Sequence, residues 1–345
     1  MPSLERYQKQ ILFAEMDEGK QHRLLESRVL LCGCGALGSV LADTLVRAGV
    51  GFLRIVDRDF VELSNLQRQV LFDEEDWKQK LPKAIAAQRK LQVINSDVQV
   101  EAVVADIDYR NIEELAQDVD LILDGTDNFE IRFLINDVSL ATNIPWIYAG
   151  VIGSHGQTMT VFPNESACLR CLISEIPDPG ATETCDTAGV LAMAVNVMAS
   201  LEAVDAIKLL SGQKEKIEPV LAVVDVWEGS LRRMSMKDLR ERSECPACVK
   251  GEREWLSGTK GSHSTVLCGR NAVQISPEQK SALSLKEMAE KLSASGETSF
   301  NEFLLRLQLS EADYEITLFK DGRAIVKGTE DIATARSVYA KYIGL

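Results

Sequence analysis

Gly33, Gly35 and Gly38 follow the apolar run 29–32 in the order G-x-G-x-x-G, and Asp57 closes the next apolar run. Each spacing has a physical reason. The first glycine allows a tight turn, the second lets a phosphate approach the backbone, and the third lets helix and strand pack closely. The N-terminus of the helix that follows then faces the anion. Asp57 is placed to accept from ribose hydroxyls. The pattern points to an adenine nucleotide without separating NAD from ATP, and a turn that needs small residues only for packing is the plainer alternative.

The neighbours make that choice. The stretch Ser64, Asn65, Leu66, Gln67, Arg68, Gln69 supplies one cation, and Lys83 opens the next helical pattern. The segment D-G-T-D-N, residues 124–128, offers Asp124, Asp127 and Asn128 at the C-terminal end of a strand. Taken singly, the cations read as solvated surface charges, Asp124 as a helix cap and Asp127 as a favourable first-turn charge. Together they provide carboxylates for Mg²⁺ and cations for phosphates. Hydride transfer needs no such set, whereas nucleotidyl transfer does. The chemistry favours ATP.

Two C-x-x-C pairs, Cys168 with Cys171 and Cys245 with Cys248, offer four thiolates for tetrahedral Zn²⁺. Four protein ligands close the shell, so the expected role is structural. Cys32 and Cys34 read as small packing residues near the nucleotide, and Cys268 as a buried structural residue. Cys185 has no close cysteine partner and stands at the mouth of an apolar helix. A helix N-terminus favours its thiolate while Asp186 opposes it, so thiol transfer and a merely local role both stay open.

These residues need a scaffold. Residues 28–57 read strand, glycine turn, helix, strand, which is a βαβ unit. A helix over LPKAIAAQRKLQVIN and a strand over VQVEAVVADI follow. IEELAQDV reads as a helix before strand DLILDGTDN, and FEIRFLINDVSLATN as a helix before IPWIYAGVIG. After Gly156, QTMTVF and LAVVDVWEGSLRRMSM read as strand or hairpin, with a turn at Glu228-Gly229. The apolar segment 189–210, interrupted by Asn196, Glu202, Asp205 and Lys208, reads as a buried helix that emerges into solvent. From residue 260, TVLCGRNAVQIS reads as one strand, SLKEMAEKLSAS as a helix with Ser284 and Glu287 at capping-box spacing, YEITLFKDGRAIVKG as a hairpin turning at Asp321-Gly322, and DIATARSVYAKYI as a closing helix. The expected fold is α/β. It comprises an N-terminal helical segment (1–27), a Rossmann-like nucleotide-binding half (28–155), a mixed-sheet half carrying the zinc (156–250) and a small C-terminal α/β domain (260–345).

A formal net charge of −14 argues against a nucleic-acid binder, which needs clustered Lys and Arg. No secretory signal is visible and the 189–210 helix is too interrupted to span a membrane, so a cytoplasmic protein with reduced thiols is expected.

GCGALG, DRDFVELSNLQRQVLF, LPKA, DGTDNFEIRFLIND, the paired C-x-x-C motifs and TCDTAG, in this order from Arg6 to Cys248, resemble the ThiF/MoeB/HesA superfamily, bacterial relatives of ubiquitin-activating enzymes. The ending resembles the C-terminal extension of long ThiF-type enzymes of Gram-positive bacteria. The resemblance implies ATP-dependent adenylation of the C-terminal glycine carboxylate of a small ubiquitin-like sulfur carrier ending Gly-Gly, with pyrophosphate released. It implies that Gly35 and the adjacent backbone cradle the nucleotide, that Asp57 holds the ribose, and that Asn65, Arg68 and Lys83 engage phosphates. Asp127 would bind Mg²⁺ beside Asn128, with Asp59 and Gln69 in support. In ThiF-type enzymes the T-C position, here Cys185, can link covalently to the carrier.

Family members carry an arginine in the N-terminal R-Y-x-R-Q-I segment that reaches the partner's phosphates across a homodimer. Here Lys9 stands at that place; it keeps the charge but loses the planar fork, and Arg6 is the alternative. A ThiS-type carrier in thiamine-thiazole synthesis is the leading expectation, with a sulfurtransferase or cysteine desulfurase as a further partner. A MoaD-type carrier is the runner-up. Microcin-maturing relatives adenylate a peptide but begin with a clamping domain for which residues 1–32 leave no room. An NAD-dependent oxidoreductase is the different-class alternative.

Overall fold

The computed structural model describes residues 3–176, 188–260, 264–267, 271–276, 283–310 and 313–343. They fall into two compact units, 1–260 and 261–345.

The first unit is built on one eight-stranded sheet. In chain order its main elements are α1 (Glu18–Glu26), β1 (Arg28–Cys32), α2 (Ala36–Ala48), β2 (Phe52–Val56), α3 (Lys83–Ile94), β3 (Gln99–Val103), β4 (Leu121–Asp124), α4 (Phe129–Thr142), β5 (Trp146–Ile152), β6 (His155–Val161), α5 (Ala192–Leu210), β7 (Val220–Asp225) and β8 (Ser230–Ser235). The strand order is β3-β2-β1-β4-β5-β6-β7-β8. Pairing is parallel from β3 through β5 and antiparallel from β5 through β8. The chain therefore runs outward from β1 in both directions, and the reversal between β1 and β4 opens a crevice at the C-terminal strand ends.

Register decides what meets there. Cys32 pairs with Val56 on one side and with Asp124 on the other. Gly33, Asp57 and Gly125 consequently leave three adjacent strands at one level. β1 is almost wholly buried, as a strand between two covered faces must be. α2 begins at Gly35 and stops at Gly49, whose φ of +90° gives the left-handed C-terminal turn that glycine adopts without strain. α5 packs on α2 and on β5 and β6. The other face is closed by Phe133, Ile135 and Val138 of α4 against Trp146, Tyr148 and Met159, with Cys168, Cys245 and Cys248 in the same cluster. The N-terminal segment docks through Tyr7, whose hydroxyl accepts from Asn95 Nδ2 at 2.9 Å, and through Gln21, whose Nε2 donates to Ala48 O at 3.0 Å.

Among the described residues, the second unit is an antiparallel six-stranded sheet with two helices: β9 (Ser264–Leu267), β10 (Ala272–Ile275), α6 (Leu285–Leu292), β11 (Gly296–Phe300), β12 (Leu304–Leu309), β13 (Glu315–Phe319), β14 (Ala324–Lys327) and α7 (Ile332–Tyr342). Its order is β11-β12-β13-β14-β10-β9. Leu285, Ala289, Leu292, Ala335, Val338 and Tyr339 pack on Leu305, Leu307, Ile316, Leu318 and Val326.

Three readings need correction, and one pair of strands is additional. TVLCGRNAVQIS holds two strands, β9 and β10, which pair with each other antiparallel. IEELAQDV supports helix only over Ile112–Leu115. β11 and β12 went unread, although Leu305, Leu307 and Leu309 alternate with Arg306 and Gln308, the period of a strand with one buried face. Glu202 does not emerge with its helix: it is fully buried, and burial together with nearby Asp124 pushes its carboxyl well above the ordinary range. Among the described residues, no helix is long and apolar enough to cross a membrane.

Candidate active site and metal centre

The glycine turn divides its glycines by what surrounds them. A Cβ at Gly38 would lie 2.1 Å from the Gly33 carbonyl oxygen, and one at Gly33 2.8 Å from the Gly125 oxygen. These positions are filled by backbone. At Gly35 the nearest atoms to a Cβ are Gln69 Nε2 and Gly125 O, both 3.9 Å away. A side chain would fit there in the free protein, so the absence of one leaves a cradle at the start of α2 for a ligand's phosphate.

Asp57 is buried and held from two sides. Its Oδ2 accepts from Cys34 N at 2.7 Å and its Oδ1 from Asp59 N at 2.7 Å. Burial raises its pKa, and Lys83 opposes that rise. Cys34 and Cys32 are fully buried, and burial, reinforced by Asp57 and Asp124 respectively, pushes both thiols up. They pack; they are not activated.

The loop after β2 is tied to α3 by the backbone: Val61 N donates to Leu81 O at 2.9 Å and Lys83 N to Asp59 O at 2.9 Å. That brings Lys83 Nζ to 3.1 Å from Asp59 Oδ2. Lys83 is 3% exposed, which rules out a solvated surface cation. Arg68 is half-buried and donates to Ser64 O at 2.9 Å. Asn65 is buried and its Oδ1 accepts from Glu62 N at 3.1 Å, so part of this side chain shapes its own turn. Gln69 is buried beside Gly35, with its Oε1 unpartnered. Ser64 and Gln67 are exposed and Leu66 is half-buried.

In D-G-T-D-N the two aspartates differ. Asp124 is fully buried, 2.8 Å from Arg132 Nε, and accepts from Thr126 N and Oγ1. It caps no helix; Asn128 does that, accepting from Glu130 N at 2.8 Å. Asp127 is exposed at the crevice. Arg132 binds the loop to β5 as well, donating from Nη2 to Thr126 O at 2.7 Å and to Ala149 O at 3.0 Å. Lys9 is exposed, whereas Arg6 donates to Ile94 O at 3.0 Å. Cys185 and Cys268 lie outside the described residues.

Cys168, Cys171, Cys245 and Cys248 place their sulfurs within 4.8 Å of one another. Neighbouring Sγ atoms are 3.9, 3.6 and 3.4 Å apart. A tetrahedron of thiolates around Zn²⁺ has edges of about 3.8 Å, so the donor set fits that ion and leaves no open position. The cluster is braced to α4: Leu169 N donates to Asn136 Oδ1 at 3.0 Å, and Trp255 N, just past the second pair, to Asp137 Oδ2 at 3.0 Å.

The ThiF family pattern matches residues 7–247, which span the glycine turn, the cation set, the first cysteine pair and Cys245 of the second. The chain belongs to the ThiF family. Among its relatives, the sulfur carrier protein ThiS adenylyltransferase of Bacillus subtilis is 43% identical, over 98% of this chain and 99% of that one. The Escherichia coli protein of the same name is 39% identical over 70% of this chain and 94% of its own. The SAMP-activating enzyme E1 of Haloferax volcanii is 36% identical over 72% and 90%. Among solved structures, E. coli MccB with ATP matches with a TM-score of 0.61 at 23% identity, covering 72% of this chain and 75% of that chain; this supports the fold. Alike over nearly its full length to an adenylyltransferase, the chain is an enzyme of that kind, one that uses ATP.

Sequence reasoning passed over Gly125, Arg58, Asp106 and Arg132. Gly125 was readable inside D-G-T-D-N; Arg58 and Asp106 meet across 48 residues of chain, and Arg132 reaches from its helix to the D-G-T-D-N loop and to β5.

Proposed function

We propose that this enzyme adenylates the C-terminal carboxylate of a ThiS-type sulfur carrier and releases pyrophosphate. What carries this reading is the meeting, at aligned strand ends, of an open glycine cradle, a buried lysine and an exposed aspartate, in a chain alike over nearly its full length to a ThiS adenylyltransferase. A carboxylate oxygen attacks the α-phosphorus, an acyl–phosphate bond forms, and the bond to the pyrophosphate leaving group breaks. The nucleophile is ionised at neutral pH and needs no base. The site's task is to hold two anions together and in line.

In this reading Gly35 and the neighbouring amides receive phosphate, Asp57 holds the ribose, and Lys83, Arg68 and the Asn65 amide face the phosphates. Asp127 is the residue to hold Mg²⁺, which supplies charge neutralisation at the phosphates when bound. The four cysteines hold structural Zn²⁺. Lys9 serves a partner protomer in a homodimer, its exposure leaving it available, while Arg6 is engaged within its own chain. Reduced cysteines and ATP fit the cytoplasm. A sulfurtransferase or cysteine desulfurase would deliver sulfur to the activated carrier.

The test is ATP–pyrophosphate exchange with purified Gly-Gly-terminated carriers. Exchange with a ThiS-type carrier and little with a MoaD-type one supports the assignment, and no exchange with any carrier refutes it. Intact-mass analysis of the same mixture reads out a carrier adduct at Cys185.

A further inference from the structure

Arg58 stands between two aspartates of the site, Asp57 and Asp59. Its Nη1 donates to Asp106 Oδ1 at 3.0 Å, and its Nε lies 3.9 Å from Asp59 Oδ1. Its side chain is 18% exposed. Asp59 follows β2, Asp106 follows β3, and Asp127 follows β4. Burial lowers the guanidinium's pKa, but Asp106, Asp59 and Asp127 together carry it above its ordinary value. One cation thus meets carboxylates that follow two strands, Asp59 and Asp106, and feels the charge of Asp127 after a third.

This arrangement answers an electrostatic problem. A triphosphate must settle in a crevice that also presents Asp57, Asp59, Asp106 and Asp127, all of the same sign as the ligand. Lys83 offsets Asp59 from one side. Lys83 and Arg68 face the phosphates, so a further cation is needed on the side of Asp106, where the acids otherwise stand unopposed against the ligand's charge.

We propose that Arg58 is a positioning residue of the nucleotide site, neutralising the acidic rim of Asp59, Asp106 and Asp127 and so setting how tightly ATP binds. It acts on binding and leaves the acyl-adenylate step to Lys83, Arg68 and Asp127. The inference rests on the ATP reading above.

The test uses the full chain with Arg58→Met. Loss of one charge several ångströms from a triphosphate weakens binding about tenfold at the effective dielectric of a partly buried site. Calorimetry with MgATP reads that Kd directly. In carrier-dependent exchange, KM for ATP rises in parallel while kcat stays within about twofold. Arg58→Lys restores most of the affinity, and adding Asp106→Asn to Arg58→Met recovers part of it by removing a repelling carboxylate. Arg58→Gln, which keeps a donor toward Asp106 without the charge, replaces the methionine variant if that one does not fold. A wild-type Kd in the uncharged variant, a fall in kcat at unchanged Kd, or a double variant no tighter than the single one overturns the proposal. Failure of the unaltered chain to bind MgATP instead overturns the ATP reading on which it rests.

Discussion

Lys83 Nζ and Asp59 Oδ2 lie 3.1 Å apart in a pair whose lysine side chain is 4% exposed. A lysine this deep is held by its partner and faces inward. Lys83→Met leaves Asp59 without this cation and is expected to cost about 3 kcal/mol of stability and on the order of a hundredfold in exchange rate. Thermal melting and the exchange assay read the two effects separately.

The same lysine fixes a pH dependence. Burial raises the Asp57 carboxyl above its ordinary value and Lys83 holds that rise down. If Asp57 must be ionised to hold the ribose, nucleotide affinity falls as pH drops through its pKa. Without Lys83 that pKa is higher, so in Lys83→Met the decline starts at a higher pH. ATP affinity followed from neutral pH downward into the carboxylate range reads the shift. An unmoved acid limb contradicts the assignment of Asp57.

Gly35 and Gly38 are expected to respond in opposite ways to alanine. Gly38→Ala forces a Cβ onto the Gly33 carbonyl oxygen and unsettles the turn itself. Gly35→Ala finds space, so its melting temperature is expected to match the unaltered protein while ATP affinity falls at least about tenfold, the methyl group standing where phosphate must approach. A Gly35→Ala protein with full affinity removes the cradle from the mechanism.

Asp124 and Asp127, three residues apart, separate folding from function. Asp124→Asn weakens a fully buried pair with Arg132 and is expected to lower stability by about 3 kcal/mol. Asp127→Asn changes an exposed residue, so its melting curve stays in place while exchange falls on the order of a hundredfold. Equal thermal effects would show that the two share a structural role.

The cysteine cluster is expected to contain one zinc per chain by elemental analysis, and Cys245→Ser to lose it. Chelation is expected to lower the melting midpoint by about 10 °C or more. Trp255 reports locally, since it is bound to Asp137 and its ring lies 5.5 Å from that of Phe133. Its fluorescence is expected to shift on metal removal, with Trp255→Phe as the control. Full stability without metal would mean the cysteines pack on their own.

Much of the site could be read directly from the chain, because its signals are local. The glycine spacing, the aspartate one strand later and the two C-x-x-C pairs each fall within a single turn or unit. Arg58, Asp106, Arg132 and Glu202 were not legible, since each acquires its meaning from an element distant in sequence: the end of β3 for Arg58, a β5 carbonyl for Arg132, the buried Asp124 for Glu202. In the second unit the alternation in Leu304–Leu309 was present, but TVLCGRNAVQIS carries no local signal that it holds two paired strands.

Gly33, Gly38 and Gly125 meet where β1 and β4 end. A Cβ on Gly125 would lie 2.4 Å from Gly33 O and 2.9 Å from the Gly38 Cα. The three positions therefore form an evolutionary lock. No single replacement is accommodated, and a second replacement at another of the three only adds bulk to the same contact. Mutational drift that reshapes carrier preference elsewhere in this enzyme must pass around this point, so a distant homologue that has lost any one of these glycines is expected to have rebuilt its nucleotide turn altogether.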